Sequence, residues 1–373
     1  MKKILVLLLA LALCLPLALP APAEEAAPEL PGLTYVETLP LRFATQFRVD
    51  YYEGGYKLLS VADGNRYLIV PEGGEVPRGL EGVRILQQPL DAVYLAATSA
   101  MALFNAVDAL DAIRLSGTQA DGWTIPNAVA AMQAGDMLYA GKYSEPDYEL
   151  LLSSGCDLAI ESTMILHTPQ VQEMIEQLGI PVFIDRASYE DHPLGRTEWV
   201  KLYAAMVNRE EAAAEFFDAQ AAVVDALADF PNTERTVAFF YIGSDGSVSV
   251  RSTTDYVPVM IELAGGRYAF RDALPSEDNR STVRMSMEEF YSVAVDADYL
   301  IYNGTIDATP ESVDDLLGKS ALLADFRAVK EGRVFATDSA LYQATDTVAQ
   351  MIVDIHRMLQ GETEGMTFLT HLS

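Results

Sequence analysis

Apolar side chains at Trp199, Leu202, Tyr203 and Met206 stand at i, i+3, i+4 and i+7, and Ala213, Phe216, Phe217, Val224 and Leu227 carry the stripe onward. Neither Pro nor Gly interrupts residues 196–230, and Pro231 follows them. The spacing predicts one long amphipathic helix near the middle of the chain. Asn208, with Glu211 three positions on, has the form of an N-cap with its capping-box partner. It divides the rod into a short arm and a spine running from Arg209 to Ala228.

On both sides of the rod the period switches between strand and helix. Short apolar runs at 83–88, 112–116, 137–139, 157–161 and 181–185 alternate with helical patterns at 99–110, 127–133, 146–153 and 167–178. Residues 89–98 read as an approach to the first of these helices. Beyond the rod, strands at 236–242, 247–251, 299–302 and 333–337 alternate with helices at 256–264, 287–295, 310–317, 321–329 and 347–359. Repeated units of this kind predict parallel, doubly wound sheets. Such sheets gather ligands outside the carboxyl ends of their strands. Residues 41–70 read differently, as three antiparallel strands turned at Gly54-Gly55 and Asp63-Gly64.

The expected fold is therefore α/β: two doubly wound αβ lobes joined by one long α-helix, with an N-terminal β-meander. Its expected divisions are a signal peptide 1–23, a tether 24–40, the meander 41–82 on the first lobe, that lobe at 83–195, the spine 196–230 and a second lobe 231–373. The halves also echo one another. YELLLSSGCDLAI (148–160) and MEEFYSVAVDADYLIY (287–302) each place a Glu at the start of a helix that leads into an Asp-started strand.

Composition narrows the setting. Residues 1–23 open with Lys2 and Lys3, continue apolar from Ile4 to Leu19 and close on Ala21-Pro22-Ala23, the form of an export signal. Cleavage after Ala23 is preferred to lipidation at Cys14, because Leu13 rather than a small residue precedes that cysteine. Without Lys2 and Lys3, 23 of the 25 basic residues remain against 54 acidic ones, a net charge of −31. Nucleic acid is therefore not an expected partner. Cys156 is the only cysteine of such a mature chain, so no intramolecular disulfide can form.

Familiar catalytic signatures are missing: no G-x-S-x-G elbow, no G-x-x-x-x-G-K-[ST] loop, no G-x-G-x-x-G turn, no H-E-x-x-H helix and no Cys cluster. The four histidines, His167, His192, His356 and His371, are too few for an expected metal cage. No catalytic residue, metal ligand or resident cofactor is assigned. Aromatic and cationic side chains remain. Trp123, Tyr143, Tyr189, Tyr256 and Tyr342 are suited to stacking on a flat ligand, and Lys142, Arg186 and Arg251 to neutralising an anionic one. Arg186 and Arg251 stand out because each directly follows an apolar strand in a chain short of cations. His167 and His192 read either as axial ligands to haem or cobalt or as hydrogen-bonding loop residues. Each aromatic reads equally as ordinary lobe packing.

VRILQQP (83–89), YELLLSSGCDLAI, LGIPVFID (178–185), NREEAAAEFF (208–217), MIELAGG (260–266), DADYLIY (296–302) and FRAVKEGRVFAT (326–337), in that order and spacing, give the chain its family look. It resembles the substrate-binding proteins of ATP-binding-cassette importers for ferric siderophores, cobalamin and haem. The resemblance covers roughly residues 83–359 and implies two lobes on a helical spine, a ligand cleft between them and little hinge motion. It implies docking on permease transmembrane subunits through one surface Glu per lobe. By matching position these are Glu149 and Glu288, with Glu289 the rival of the latter. Tyr143 sits where relatives often place an aromatic against the ligand. The family's lipid-attachment Cys has no convincing equivalent.

The implied protein is a monomeric, non-enzymatic, extracytoplasmic receptor for a small metal chelate. A ferric siderophore leads, a corrinoid such as cobalamin is second and haem third. Two readings from other classes stand beside it: an enzyme or redox protein using His167, His192 and Asp185, and a surface sensor or adhesin that works without a permease.

Overall fold

The computed structural model describes residues 28–275, 281–306 and 309–373, so the expected export signal and Cys14 lie outside the described residues. Three larger sheets carry the fold. The first runs in the order Tyr35–Thr38, Phe47–Tyr52, Tyr56–Val61, Arg66–Val70, Val83–Gln87, and only its last pair is parallel. It exceeds the expected meander at both ends. The tether supplies Tyr35–Thr38, and Val83–Gln87, read above as the first strand of a doubly wound lobe, pairs instead with Arg66–Val70. Val83 and Ile85 pack against a small separate core of Leu30, Tyr52, Leu58, Leu68 and Val70, which fixes that strand to this sheet.

The second sheet is wholly parallel, in the order Val182–Asp185, Leu158–Ser162, Val93–Leu95, Ile113–Ser116, Leu138–Tyr139. Its central strand, Val93–Leu95, falls in the stretch read as a helix approach. Three residues are too few to display a period. The third sheet orders Thr282–Met285, Val248–Arg251, Thr236–Ile242, Tyr299–Tyr302, Val334–Thr337 and Leu369–His371. The neighbours Thr236–Ile242, Tyr299–Tyr302 and Val334–Thr337 are parallel, and the flanking strands are antiparallel.

The echo between the halves has a structural counterpart. Asp157, before Leu158–Ser162, accepts the amides of Asp91 and Ala92 at 2.9 and 3.0 Å. Asp298, before Tyr299–Tyr302, accepts the amide of Thr236 at 2.8 Å. In each lobe the repeated Asp thus ties the entry of its own strand to the entry of the neighbouring parallel strand.

The central rod breaks where the sequence suggested, at Asn208, but Asn208 caps the end of one helix rather than the start of the next. It ends Pro193–Val207 in a left-handed conformation (φ 56°), which suits Asn at a C-terminal cap, and Glu210–Asp225 follows. The second helix turns back along the first: the Lys201 ammonium lies 4.4 Å from the Phe217 ring centre, and Arg42 contacts both Glu198 and Asp225. Thirteen of the fifteen residues of Pro193–Val207 are buried, so this arm is core. Glu210–Asp225 buries only Ala213, Phe217, Ala221 and Val224, one stripe of an otherwise wet helix.

The first sheet grips this helical pair. Glu198 accepts the amides of Arg42, Phe43 and Ala44, and Glu190 those of Thr45 and Gln46, at 2.8 to 3.1 Å. Lys57 donates to the Ala205 carbonyl at 2.8 Å and to Asn208 Oδ1 at 2.7 Å, and pairs with Glu210.

Candidate functional site

A cavity of about 730 Å³ opens between the second and third sheets. Its first wall follows the carboxyl ends of parallel strands, as expected for a doubly wound sheet: Ser99 beyond Val93–Leu95, Thr163 beyond Leu158–Ser162, and Ala187 to Asp191 beyond Val182–Asp185. The opposite wall departs from that rule. It is built by Arg251, Ser252, Thr254, Asp255 and Tyr256 at the exit of an antiparallel strand, and by Leu341, Tyr342, Thr345 and Val348 after Val334–Thr337. Arg196, one turn into the buried helix, completes the floor.

The guanidinium groups are held against rings. Arg196 lies 3.8 Å from the Tyr256 ring centre, and its Nε donates to the Ala187 carbonyl at 3.1 Å. Arg251 approaches the same ring at 5.9 Å. Arg186 lies 4.2 Å from the ring of Tyr189. A guanidinium face laid on a tyrosine keeps its N–H edge for a planar acceptor, which favours carboxylate or other oxyanion groups on a ligand. Asp255 stands 3.6 Å from Arg251 and tempers its charge. Burial raises the Asp255 pKa, against the pull of Arg251.

Beneath the loop sits a second support. Asp185 is buried, accepts the Ala187 amide at 2.8 Å and accepts a hydrogen bond from the Tyr203 hydroxyl of the central helix. Asp185, Ala187 and Arg196 therefore form one chain of contacts from the helix to the cavity floor.

Of the residues singled out from sequence, Tyr189, Arg251, Tyr256 and Tyr342 line this cavity together. Arg186 does not line it, but reaches it through Tyr189. Trp123 stands elsewhere: its indole is buried and donates to Ser116 Oγ at 3.2 Å, so the ring packs the lobe. Lys142 is outside the wall, exposed on a short hairpin and paired with Glu145 at 3.1 Å. Tyr143 occupies the tip of that hairpin, also outside the wall.

His167 is exposed at the end of a 3-10 turn away from the lining. His192 stacks on Phe43 at 4.2 Å and accepts the Leu194 amide, and burial lowers its pKa. Asp185 is bonded to Tyr203, His192 to the Leu194 amide and His167 is exposed, and among the described residues no hydrogen bond links any two of this trio. Among the described residues no group of three His, Cys, Asp or Glu side chains is placed to hold a metal ion. Sequence reasoning missed Arg196, which it counted only as the first residue of the rod. Its signal was present: a cation one turn beyond a loop that follows an apolar strand.

Glu149 and Glu288 are both exposed, in the first turns of Tyr148–Ser153 and Met287–Ala294, the paired helices of the repeat. Glu289 is committed to its helix: its carboxylate accepts the Ser286 amide at 2.8 Å in a capping box.

Comparison with known proteins adds the lineage. Two uncharacterized lipoproteins of Methanocaldococcus jannaschii are each 23% identical to the chain, one over 84% of this chain and 78% of its own length, the other over 87% and 84%. Among solved structures, the petrobactin-binding protein YclQ of Bacillus subtilis superposes with a TM-score of 0.61 at 14% identity, covering 82% of this chain and 99% of its own. The periplasmic heme binding protein HutB of Vibrio cholerae gives 0.57 at 19%, covering 70% and 96%. Residues 107–341 match the profile of one family over most of both lobes, and on that match this chain belongs to the Periplasmic binding protein family.

Proposed function

We propose that this chain is an extracytoplasmic receptor of an ATP-binding-cassette importer, which captures an anionic metal chelate between its lobes and hands it to a permease. A ferric siderophore is the leading cargo. The observation that carries this reading is the pair Arg196 and Arg251, both against Tyr256 and both lining one 730 Å³ inter-lobe cavity. A cavity of that size suits a ligand of several hundred daltons, and aromatic faces with fixed guanidinium edges bind oxyanions without any covalent step. Arg186 on Tyr189 extends the same chemistry to the mouth. Likeness to a petrobactin-binding protein supports it.

Haem or a corrinoid in the same cleft is the second reading. The phenols of Tyr189 and Tyr342, each about half exposed at the cavity wall, favour haem, because tyrosine is an established haem-iron ligand. Glu149 and Glu288 are the proposed permease contacts. The lipoprotein names of the two archaeal relatives fit retention at the cell surface, by Cys14 or by another route.

Calorimetric titration with a ferric tricatecholate, ferric citrate, haemin and cobalamin tests the reading. Arg196→Met and Arg251→Met should each weaken the bound chelate by about 10- to 100-fold, the loss of one or two charge-assisted hydrogen bonds. Saturable binding of none of the four, or affinity indifferent to both substitutions, would remove the proposal.

A further inference from the structure

Gln343 lies next to the cavity tyrosine Tyr342 and is 1% exposed. Its amide is used to capacity. Oε1 accepts from the Thr124 amide and the Thr124 hydroxyl, both at 2.9 Å. Nε2 donates to the Gly122 carbonyl at 2.7 Å and to the Tyr342 hydroxyl at 2.8 Å. The orientation of the amide is fixed by its partners, because a backbone N–H can only donate and a carbonyl can only accept.

Gly122 and Thr124 belong to the loop between Ile113–Ser116 and Pro126–Ala134 of one lobe, whereas Gln343 follows Val334–Thr337 of the other. The receiving loop is itself immobilised, since Trp123, between the two bonded residues, is nailed to Ser116 by its indole N–H. A second tie stands beside the first: Thr197 of the buried helix donates to the Thr345 carbonyl at 2.9 Å.

We infer that Gln343 is a positioning residue that locks the two lobes at one relative orientation and holds Tyr342 at the mouth of the cleft. A helical connection limits hinge motion but leaves the residual rocking of one lobe against the other to be restrained by direct contacts between them. A saturated side chain bridging them at a separate point removes that freedom before any ligand arrives, so the cleft is preorganised. All of these contacts lie within the chain itself, so widening on loss of Gln343 is expected whichever chelate is carried.

The test is the distribution of distances between spin labels on the two lobes, at Glu173→Cys and Asp314→Cys. Both are exposed helix positions. Cys14 and Cys156 are replaced by serine in this background. Gln343→Met is near-isosteric and makes none of the four bonds. Gln343→Glu keeps both acceptor bonds to Thr124 and loses both donor bonds. The parent should give one narrow distribution, Gln343→Met one about twofold wider, and Gln343→Glu an intermediate width. If Gln343→Met does not fold, widening in Gln343→Glu decides on the same criterion. A folded variant whose melting temperature falls while the distribution keeps its width would show Gln343 to be ordinary packing and overturn the inference.

Discussion

Glu161, on the strand Leu158–Ser162, is fully buried, and neither of its carboxylate oxygens has a hydrogen-bond partner among the described residues. Burial pushes its pKa up from 4.5 to about 8. The folded chain therefore keeps this group protonated across the range in which the unfolded chain has already released the proton. From linkage, the unfolded state binds fewer protons between those two values. Stability must then fall as pH rises through that window, by roughly 1.4 kcal/mol per unit, and level off above it. Glu161→Gln removes the titration, so denaturation midpoints of wild type and variant should diverge in favour of the variant from about pH 5 to about pH 8. Parallel profiles would show the carboxyl to be solvated in the fold. At this scale the sequence was a partial guide. Arg251 and Tyr256 could be suspected from a cation and a ring following an apolar strand. Trp123 could not be placed, because the direction of its ring depends on the bond to Ser116, and the loop that carries it is held on either side by a glutamine more than two hundred residues away.

The element that most departs from its linear reading is the helical pair. Periodicity and the absence of Pro and Gly made the helix visible, and Asn208 marked its break. The reversal at Asn208 was not visible, since it depends on Lys57 and Gln88, which bring donors to the carbonyls of Ala205 and Met206 and to the Asn208 side chain. Lys57 is nearly buried and paired with the partly exposed Glu210. Its replacement by Met leaves that carboxylate and the helix-end carbonyl without their cation, at a cost of about 2–4 kcal/mol. Urea denaturation of Lys57→Met measures this, and a loss below about 0.5 kcal/mol would mean the corner holds itself. The three-residue strand Val93–Leu95 escaped the sequence for a different reason: alternation needs length to be recognised.

For the molecule as a whole, the order of motifs carried more than any single one. The paired helix–Asp–strand units proved to be equivalent pieces of two lobes, with Asp157 and Asp298 in the same structural office. That equivalence also places Glu149 and Glu288 on matching helices, on a chain of formal net charge −29 that suits a basic partner surface. Reversing both, with Glu149→Lys and Glu288→Lys, should cut chelate uptake in cells by about tenfold or more and leave binding by the purified protein unchanged. Undiminished uptake would turn attention to a receptor that acts without a permease. The composition of the cleft was the least legible feature, because its walls draw on seven separate stretches between Ser99 and Val348 that only the completed fold assembles. The grip of Glu190 and Glu198 on the amides of residues 42–46 spans 144 to 156 positions of chain. During synthesis those five amides emerge long before the carboxylates that will receive them. These five hydrogen-bonded ties can therefore form only after the chain has been made as far as Glu198, and their closure carries the entropic cost of a long loop.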